Sequence, residues 1–368
     1  MRYSREDACR VWLSTVELNH EEFHRLMDHF GSAEGAYDET HRHGGKALAA
    51  CGLSARACNV LVEGSDRAHM HRRLVKLQEK QIGLLYEEDE HYPEVYRHLT
   101  QPPWMLYYRG DLRCLLGRHL AIVGTRKSSS YGQANARSIA EELSRNGVSI
   151  VSGMAPGIDT AAHDGCMAGA SPTIGLSGSG LEHPRPLGRE GLDEEILAAG
   201  GLLLSEYPPE SDAKPYHFPM RNRLISALGD GLLFVEGAIR SGGMLSVSAA
   251  LDQGKDVFAL PGPIGQEGAE GPLQILREGA ILARNAGDIL ADMGWEGKTV
   301  SAPRTMAELP ALTEDQRAVL KLLTVEELSF DQLTYQTGLD ASRLNAALTL
   351  LELMGLVTQG SGRIYHKA

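Results

Sequence analysis

Residues 120–159, "LAIVGTRKSSSYGQANARSIAEELSRNGVSIVSGMAPGID", decide the fold. Leu120 to Val123 is an apolar run with no polar alternation, as expected of a strand buried on both faces, and it breaks at Gly124. Ala136, Ile139, Ala140 and Leu143 then recur at helical spacing until Gly147 stops the helix, and "VSIVSG" begins a second buried strand. Strand, loop, helix and strand make one parallel crossover unit.

The unit repeats downstream. "TIGLSG" precedes "GLDEEILAAGG", "LLLSEYPP" precedes an irregular stretch and "RNRLISALG", and "GLLFVEG" and "DVFALPG" flank the helix-like "MLSVSAALDQG". This alternation predicts an α/β protein with a Rossmann-like, doubly wound, mostly parallel sheet over 79–295. Residues 1–78 show helical patterns divided by glycines, with few strand signals; they read as a small helical domain of the SAM-like or helix-hairpin-helix kind. A Gly, Pro, Ser and Thr-rich linker is expected over 296–312, and 313–368 offers three helices and a small hairpin, a winged helix. Its expected recognition helix carries Arg343 as its one cation, with Asp340 and Glu352 nearby, so a contact or folding module is favoured over a groove reader.

Charge and cysteine usage narrow the function classes. A formal net charge of −12 argues against a uniformly basic surface, so any polyanion site must be local. Cys9, Cys51, Cys58, Cys114 and Cys166 form no C-x-x-C pair, and their number is odd, which suggests neither a cysteine zinc site nor a disulfide framework and fits a reducing cytoplasm. "MRYSREDACRVWL" puts charges where a signal peptide needs an apolar run, and no segment approaches the length of a membrane span. A cytoplasmic protein without a membrane partner is expected.

Four loops that follow predicted strands carry the candidate site, because ligands of such sheets bind beyond the carboxyl ends of the strands. In the first, Gly124 to Gly132, Arg126 and the hydroxyls of Ser128 to Ser130 stand before a helix start, where free N–H groups attract anions. The loop matches neither G-x-G-x-x-G nor G-x-x-x-x-G-K-[ST], so no dinucleotide or nucleotide cofactor is assigned. A tight turn with solvated cations is the competing reading. The second loop, "SGMAPGID", brings Asp159 to a helix start, where capping is the expected role. His163 reads as a packed side chain, and with no nucleophile beside it neither a catalytic nor a metal-ligating residue is assigned. The third stretch, "KPYHFPMRNRLIS", interleaves the flat side chains of Tyr216, His217 and Phe218 with Arg221, Asn222 and Arg223 just before a helix, the combination a single-stranded nucleic acid requires. One of the two arginines is expected to pair with a carboxylate such as Glu206 or Glu236. The fourth, "VEGAIRSGGMLS", sets Ser241, Gly242 and Gly243 before another helix as a second anion cup.

"AIVGTRKSSSYG", "IVSGMAPGIDTAAHDG", "LLSEYPP", "HFPMRNRLISAL", "VEGAIRSGGMLS" and "VFALPGPI", in this order and spacing, resemble the DNA-processing protein family DprA, also called Smf. The resemblance covers roughly residues 80 to 290 and implies a non-enzymatic bacterial protein that binds and protects single-stranded DNA and helps load the RecA recombinase during natural transformation, as a homodimer. Carried over by motif, it implies a DNA groove lined by Gly124, Thr125 and Arg126 and by Lys214, Phe218, Arg221, Asn222 and Arg223, with Ser152 and Gly153 on its floor; the anion cup at Ser241 and Gly242 is added to it from the residues alone. The chain departs from the family pattern at Pro156, where an arginine is usual, and at Pro272, where an asparagine is usual; each departure removes a polar contact. The same fold also serves nucleoside-monophosphate phosphoribohydrolases, but their "PGGxGTxxE" segment is missing: "SGGMLSVSA" is the nearest stretch and lacks the glutamate.

Overall fold

The computed structural model describes residues 3–182, 189–296, 313–323, 328–353, 357–359 and 364–367. Apart from Glu296, the expected linker lies outside the described residues. Two compact units divide near residue 303 and are taken separately.

The first unit opens with helices Arg5–Leu13 (α1), His20–Phe30 (α2), Ala33–His43 (α3), Lys46–Ala50 (α4), Ala55–Glu63 (α5) and Arg67–Glu79 (α6). Ser4, Asn19, Ser32, Ser54 and Asp66 cap five of them through their side chains. Gly83–Tyr86 (β1), the short helix Glu94–Arg97 (α7) and Met105–Gly110 (β2) follow. The crossover series then runs Arg118–Val123 (β3), Ser130–Arg145 (α8), Val148–Gly153 (β4), Ile158–Ala168 (α9), Thr173–Leu176 (β5), Leu192–Ala198 (α10) and Leu202–Ser205 (β6). It continues with His217–Leu228 (α11), Gly231–Phe234 (β7), Gly242–Asp252 (α12), Asp256–Ala259 (β8), Glu267–Arg277 (α13), Ile281–Leu282 (β9) and Ala286–Asp292 (α14).

These strands form one sheet in the order β1-β2-β6-β5-β4-β3-β7-β8-β9. Pairing is parallel from β6 through β9, and antiparallel where β1 meets β2 and β2 meets β6. The mostly parallel Rossmann-like sheet expected from the sequence is therefore present, with an added antiparallel edge that the apolar-run pattern did not signal. Alternation along the strands distributes the core to both faces: Ala121 and Val123 pack with Leu224, Ile225 and Val247, whereas Leu120 and Ile122 pack with Ile139, Leu143 and Ala162.

The N-terminal helices share a core with this sheet. Phe23 stacks on Trp104 with ring centroids 4.1 Å apart, the Trp104 indole donates to the Leu18 carbonyl (3.0 Å), and Ser14 Oγ meets the Tyr107 hydroxyl at 2.7 Å. No helix among the described residues is long and apolar enough to cross a membrane.

The second unit contains Glu314–Leu323 (α15), Leu328–Ser329 (β10), Phe330–Thr337 (α16), Ala341–Leu353 (α17), Val357–Gln359 (β11) and Ile364–Lys367 (β12), with antiparallel strand order β10-β12-β11. Three helices around Val319, Leu333, Leu344 and Leu348, with a small sheet, make the expected winged helix. Arg343, its candidate cation, is spent on Asp315 at 2.8 Å.

Helices α8 and α9 touch backbone to backbone where a β-carbon at Gly165 would collide with the Arg137 carbonyl. Gly165→Ala must push the two helices apart, and urea unfolding should show a loss of about 1–3 kcal/mol. An unchanged midpoint would mean that the pair separates freely.

Candidate functional site

The sheet reverses its winding at β3, which has β4 on one side and β7 on the other. Loops leaving the carboxyl ends of these strands diverge there and open a crevice. A cleft of about 290 Å³ occupies it, and its walls include Gly124, Thr125, Arg126, Phe218, Arg221, Asn222, Ser241 and Gly242. Eight of the positions singled out in the sequence thus converge.

The first loop is held from the far side of the crevice. Glu236, just past β7, is buried, and its carboxylate accepts the Ser129 backbone N–H (2.8 Å) and the Ser129 hydroxyl. Ser129 is the N-cap of α8 and accepts the Gly132 N–H at 3.0 Å. The anion expected at this helix start is therefore the protein's own carboxylate, and the three serines do not form a free phosphate cup; Ser128 Oγ accepts from Gln133 Nε2 instead (3.0 Å). Thr125 N–H donates to the Glu236 carbonyl (2.8 Å), which fixes the residue before Arg126. Arg126 is exposed and lies over the Phe218 ring, its guanidinium carbon 4.3 Å from the centroid.

The third stretch folds differently from its reading. Pro219 suits a first helical turn, where no N–H is needed, so α11 begins at His217 and places Arg221 to Arg223 inside the helix. Their three side chains consequently leave in different directions. Arg221 is buried and donates from Nη1 to the Leu176 carbonyl (2.7 Å), while its Nε has no partner. Asn222 reaches the Gly242 carbonyl (3.2 Å), tying α11 to α12. Arg223 makes a two-pronged pair with Glu206 at 2.7 and 2.8 Å, one of the two carboxylates expected, and stands outside the cleft. Lys214 is also elsewhere, 2.5 Å from Glu17. Of the three flat side chains only Phe218 joins the cleft: His217 is fully buried against Tyr207 (centroids 3.6 Å apart), and the Tyr216 hydroxyl donates to Glu17 (3.1 Å).

Ser152 and Gly153 lie beneath the cleft. Ser152 is fully buried and donates to the Ile122 carbonyl (2.6 Å). At Gly153 a β-carbon would collide with Arg221 Nη1 and Asp159 Oδ2, so only glycine lets these two charged side chains pass over β4. Asp159 does not cap α9, whose N-cap is Gly157; its carboxylate accepts the Ala155 N–H and faces Arg221 in the cleft wall. Burial pushes the Asp159 carboxyl up to about 6, against the opposing pull of Arg221, of the nearby Ser152 hydroxyl and of the Ala155 N–H. Burial likewise lowers Arg221, and Asp159 opposes that. His163 is a core residue between Thr173 Oγ1 (2.7 Å) and the Gly153 carbonyl (3.0 Å), and burial lowers its pKa to about 4.

The start of α12 is different from that of α8. Ser241 is its N-cap without a side-chain cap bond, and its hydroxyl is buried with no partner. Arg221 Nε and Ser241 Oγ are thus two buried donors without a partner in the walls of one cleft. Sequence reasoning offered Glu236 as the partner of an arginine and Asp159 as a helix cap; it missed that Glu236 holds Ser129 and that Asp159 stands in the cleft wall. Arg221→Ala should cost about 1–3 kcal/mol, because it leaves the buried Leu176 carbonyl without its donor. Arg126→Ala, which gives up a surface cation–ring contact, should cost about 1 kcal/mol or less in the same urea series.

The family model described as DNA recombination-mediator protein A matches residues 83–294, and the one described as DprA winged helix domain matches residues 302–363. Protein Smf of Escherichia coli is 40% identical over 229 residues, 62% of this chain but only 61% of that relative. Protein Smf of a Synechocystis species is 31% identical over 93% of this chain and 94% of its own length. The crystal structure of DNA processing protein A from Streptococcus pneumoniae superposes with a TM-score of 0.65 at 29% identity, covering 79% of this chain and 99% of that one. DNA processing protein A from Helicobacter pylori, whose structure is described for its single-stranded DNA binding mode, gives a TM-score of 0.51 at 29% identity, over 58% of this chain and 95% of that one. A matched domain of this length, with the winged-helix match after it, means that the chain belongs to the DNA recombination-mediator protein A (DprA) family.

Proposed function

We propose that the protein is a recombination mediator that captures single-stranded DNA in the cleft at the carboxyl edge of the sheet, making and breaking no bond. The observation that carries this reading is the exposed Arg126 guanidinium stacked 4.3 Å from the Phe218 centroid at the mouth of a cleft with unpartnered donors. A cation beside an aromatic face serves both parts of a nucleotide: the phosphate pairs with the one and the base stacks on the other. The family membership and the H. pylori relative support the same ligand.

In this reading Arg126, with Gly124 and Thr125 behind it, takes a phosphate, Phe218 takes a base, and Asn222, Ser241 and Gly242 complete the lining. Ser152, Gly153 and Arg221 act from beneath, by shaping the floor. Lys214 and Arg223 are engaged with carboxylates, so their contact with DNA requires those ion pairs to open. Protection of the strand, its transfer to RecA, action as a homodimer and a cytoplasmic setting complete the proposal, on the strength of the family.

Fluorescence anisotropy with labelled single- and double-stranded oligonucleotides across a salt series tests it. Wild type should prefer single strands with strong salt dependence; Arg126→Ala should weaken binding and make the slope of log K on log salt less negative by about 0.7. Phe218→Ala should cost about 1–3 kcal/mol of binding with little change in slope. Turnover of AMP by the purified protein would sink the reading.

The buried acid in the wall adds a pH dependence. The Asp159 carboxyl titrates near 6 in the folded protein, above the ordinary 3.8, so it is charged at pH 7 and gains a proton as pH falls through 6. Protonation removes a negative charge facing Arg221 and near Arg126, and affinity for single strands should rise between pH 7 and 5. In Asp159→Asn it should already be high at pH 7 and change less over that range. The same shift means that ionised Asp159 opposes folding above pH 6, a penalty that fades toward pH 4.

A further inference from the structure

Far from the sequence motifs, the N-terminal helices and the sheet bring three donor groups together. His20 and His24 lie four residues apart on α2 and therefore on one face, with ring centroids 4.2 Å apart. Glu87 follows β1 and reaches both: Oε2 is 2.9 Å from His20 Nε2, and Oε1 is 2.6 Å from His24 Nε2. The two Nε2 atoms are 3.0 Å apart, and the ligand atoms of all three residues lie within 4.8 Å of one another.

We propose that His20, His24 and Glu87 form a binding site for a divalent transition metal of the zinc class. Two imidazoles and a carboxylate suit zinc, cobalt or nickel, whereas magnesium and calcium prefer oxygen donors throughout. Around a tetrahedral ion with bonds of about 2.0–2.1 Å the ligand atoms stand roughly 3.3 Å apart, so small side-chain rotations from the distances above seat the ion. Without a metal the trio is poorly satisfied. If both histidines donate from Nε2 to Glu87, two N–H groups face each other across 3.0 Å; a cation instead takes one lone pair from each residue.

The donors are fixed by the surrounding structure. His20 is the first residue of α2, behind the reciprocal Asn19 and Glu22 cap. The Glu87 backbone is held on both sides, its N–H donating to the Trp104 carbonyl (3.4 Å) and its carbonyl accepting from Arg97 Nη2 (2.7 Å). Phe23, on the same helix, stacks on Trp104 and sets the distance between α2 and the strand edge. Little ordering remains to be done when the ion arrives. Three protein ligands leave a fourth position for water. His20 also lines a cavity of about 290 Å³ with Trp104, Tyr207, Met220 and Arg223, which gives that water an approach. The bound ion ties the helical layer to the segment after β1.

The test uses untagged full-length protein stripped with EDTA, titrated with zinc chloride by calorimetry and with cobalt(II) by visible absorption, beside His24→Gln and Glu87→Gln. Wild type should take up zinc saturably, unaffected by excess magnesium, with a higher melting temperature and a ligand-field spectrum for cobalt. Each variant, folded by circular dichroism, should bind at least about tenfold more weakly, since even loss of an outer partner of a ligand costs 10–100-fold. No uptake by wild type would overturn the proposal and leave a proton-sharing trio. Uptake unchanged in both variants would overturn it too, by moving the metal to other histidines such as His69 and His71.

Discussion

The carboxylate of Glu236 sits where the helix dipole of α8 is most positive, and it reaches there from the opposite bank of the crevice. It accepts two hydrogen bonds from Ser129, while the same residue's carbonyl accepts the Thr125 N–H. Bonds of this charge-assisted kind contribute about 1.5–3 kcal/mol each, enough to hold a loop in one geometry. The next residue extends the tie, since Gly237 N–H donates to the Gly268 carbonyl (2.7 Å) and its carbonyl accepts the Gly271 N–H (2.9 Å). One turn therefore joins the loop after β3, the start of α8 and the body of α13. The position of Arg126 at the cleft mouth is a consequence of that junction.

The cleft's charge follows from the same economy of pairing. Arg221 lies opposite Asp159, Arg223 is taken by Glu206 and Lys214 by Glu17, so these cations contribute little outward field. Arg126, over the Phe218 ring, and Lys127 have no carboxylate ion-pair partner among the described residues, and both line the cleft. In a chain of net charge −12 the outward positive charge of the cleft is thereby concentrated on one short loop.

The parallel core was legible in the sequence because its strands are buried on both faces and so read as short unbroken apolar runs. The antiparallel strands β1 and β2 were not, since the polar turn "YEEDEHYPE" masks the end of one and the aromatic run "WMLYY" has no glycine-helix sequel. In the site, loop positions were legible and side-chain assignments were not. That Arg223 pairs with Glu206 needs only a short-range guess, but Lys214 finds Glu17 nearly two hundred positions away, and Glu236 reaches Ser129 across 107. Pairing across such separations is set by tertiary packing, which residue spacing does not encode. His20 and His24 could be read as one helix face, whereas Glu87 could not be added before β1 was known.

The two prolines expected to depart from the family pattern lie in different settings. Pro272 lies within α13, and its missing N–H would have bonded to the Gly268 carbonyl four residues back. That carbonyl accepts the Gly237 N–H instead, at 2.7 Å, within the junction behind Glu236. Pro156 lines a depression beside the cleft with Arg137 and Arg189, which both bond Asp164, at 2.7 and 3.2 Å. The guanidiniums beside Pro156 are thus both held by a carboxylate, whereas Arg126 and Lys127 stand in the cleft itself, on the loop that Glu236 holds in place.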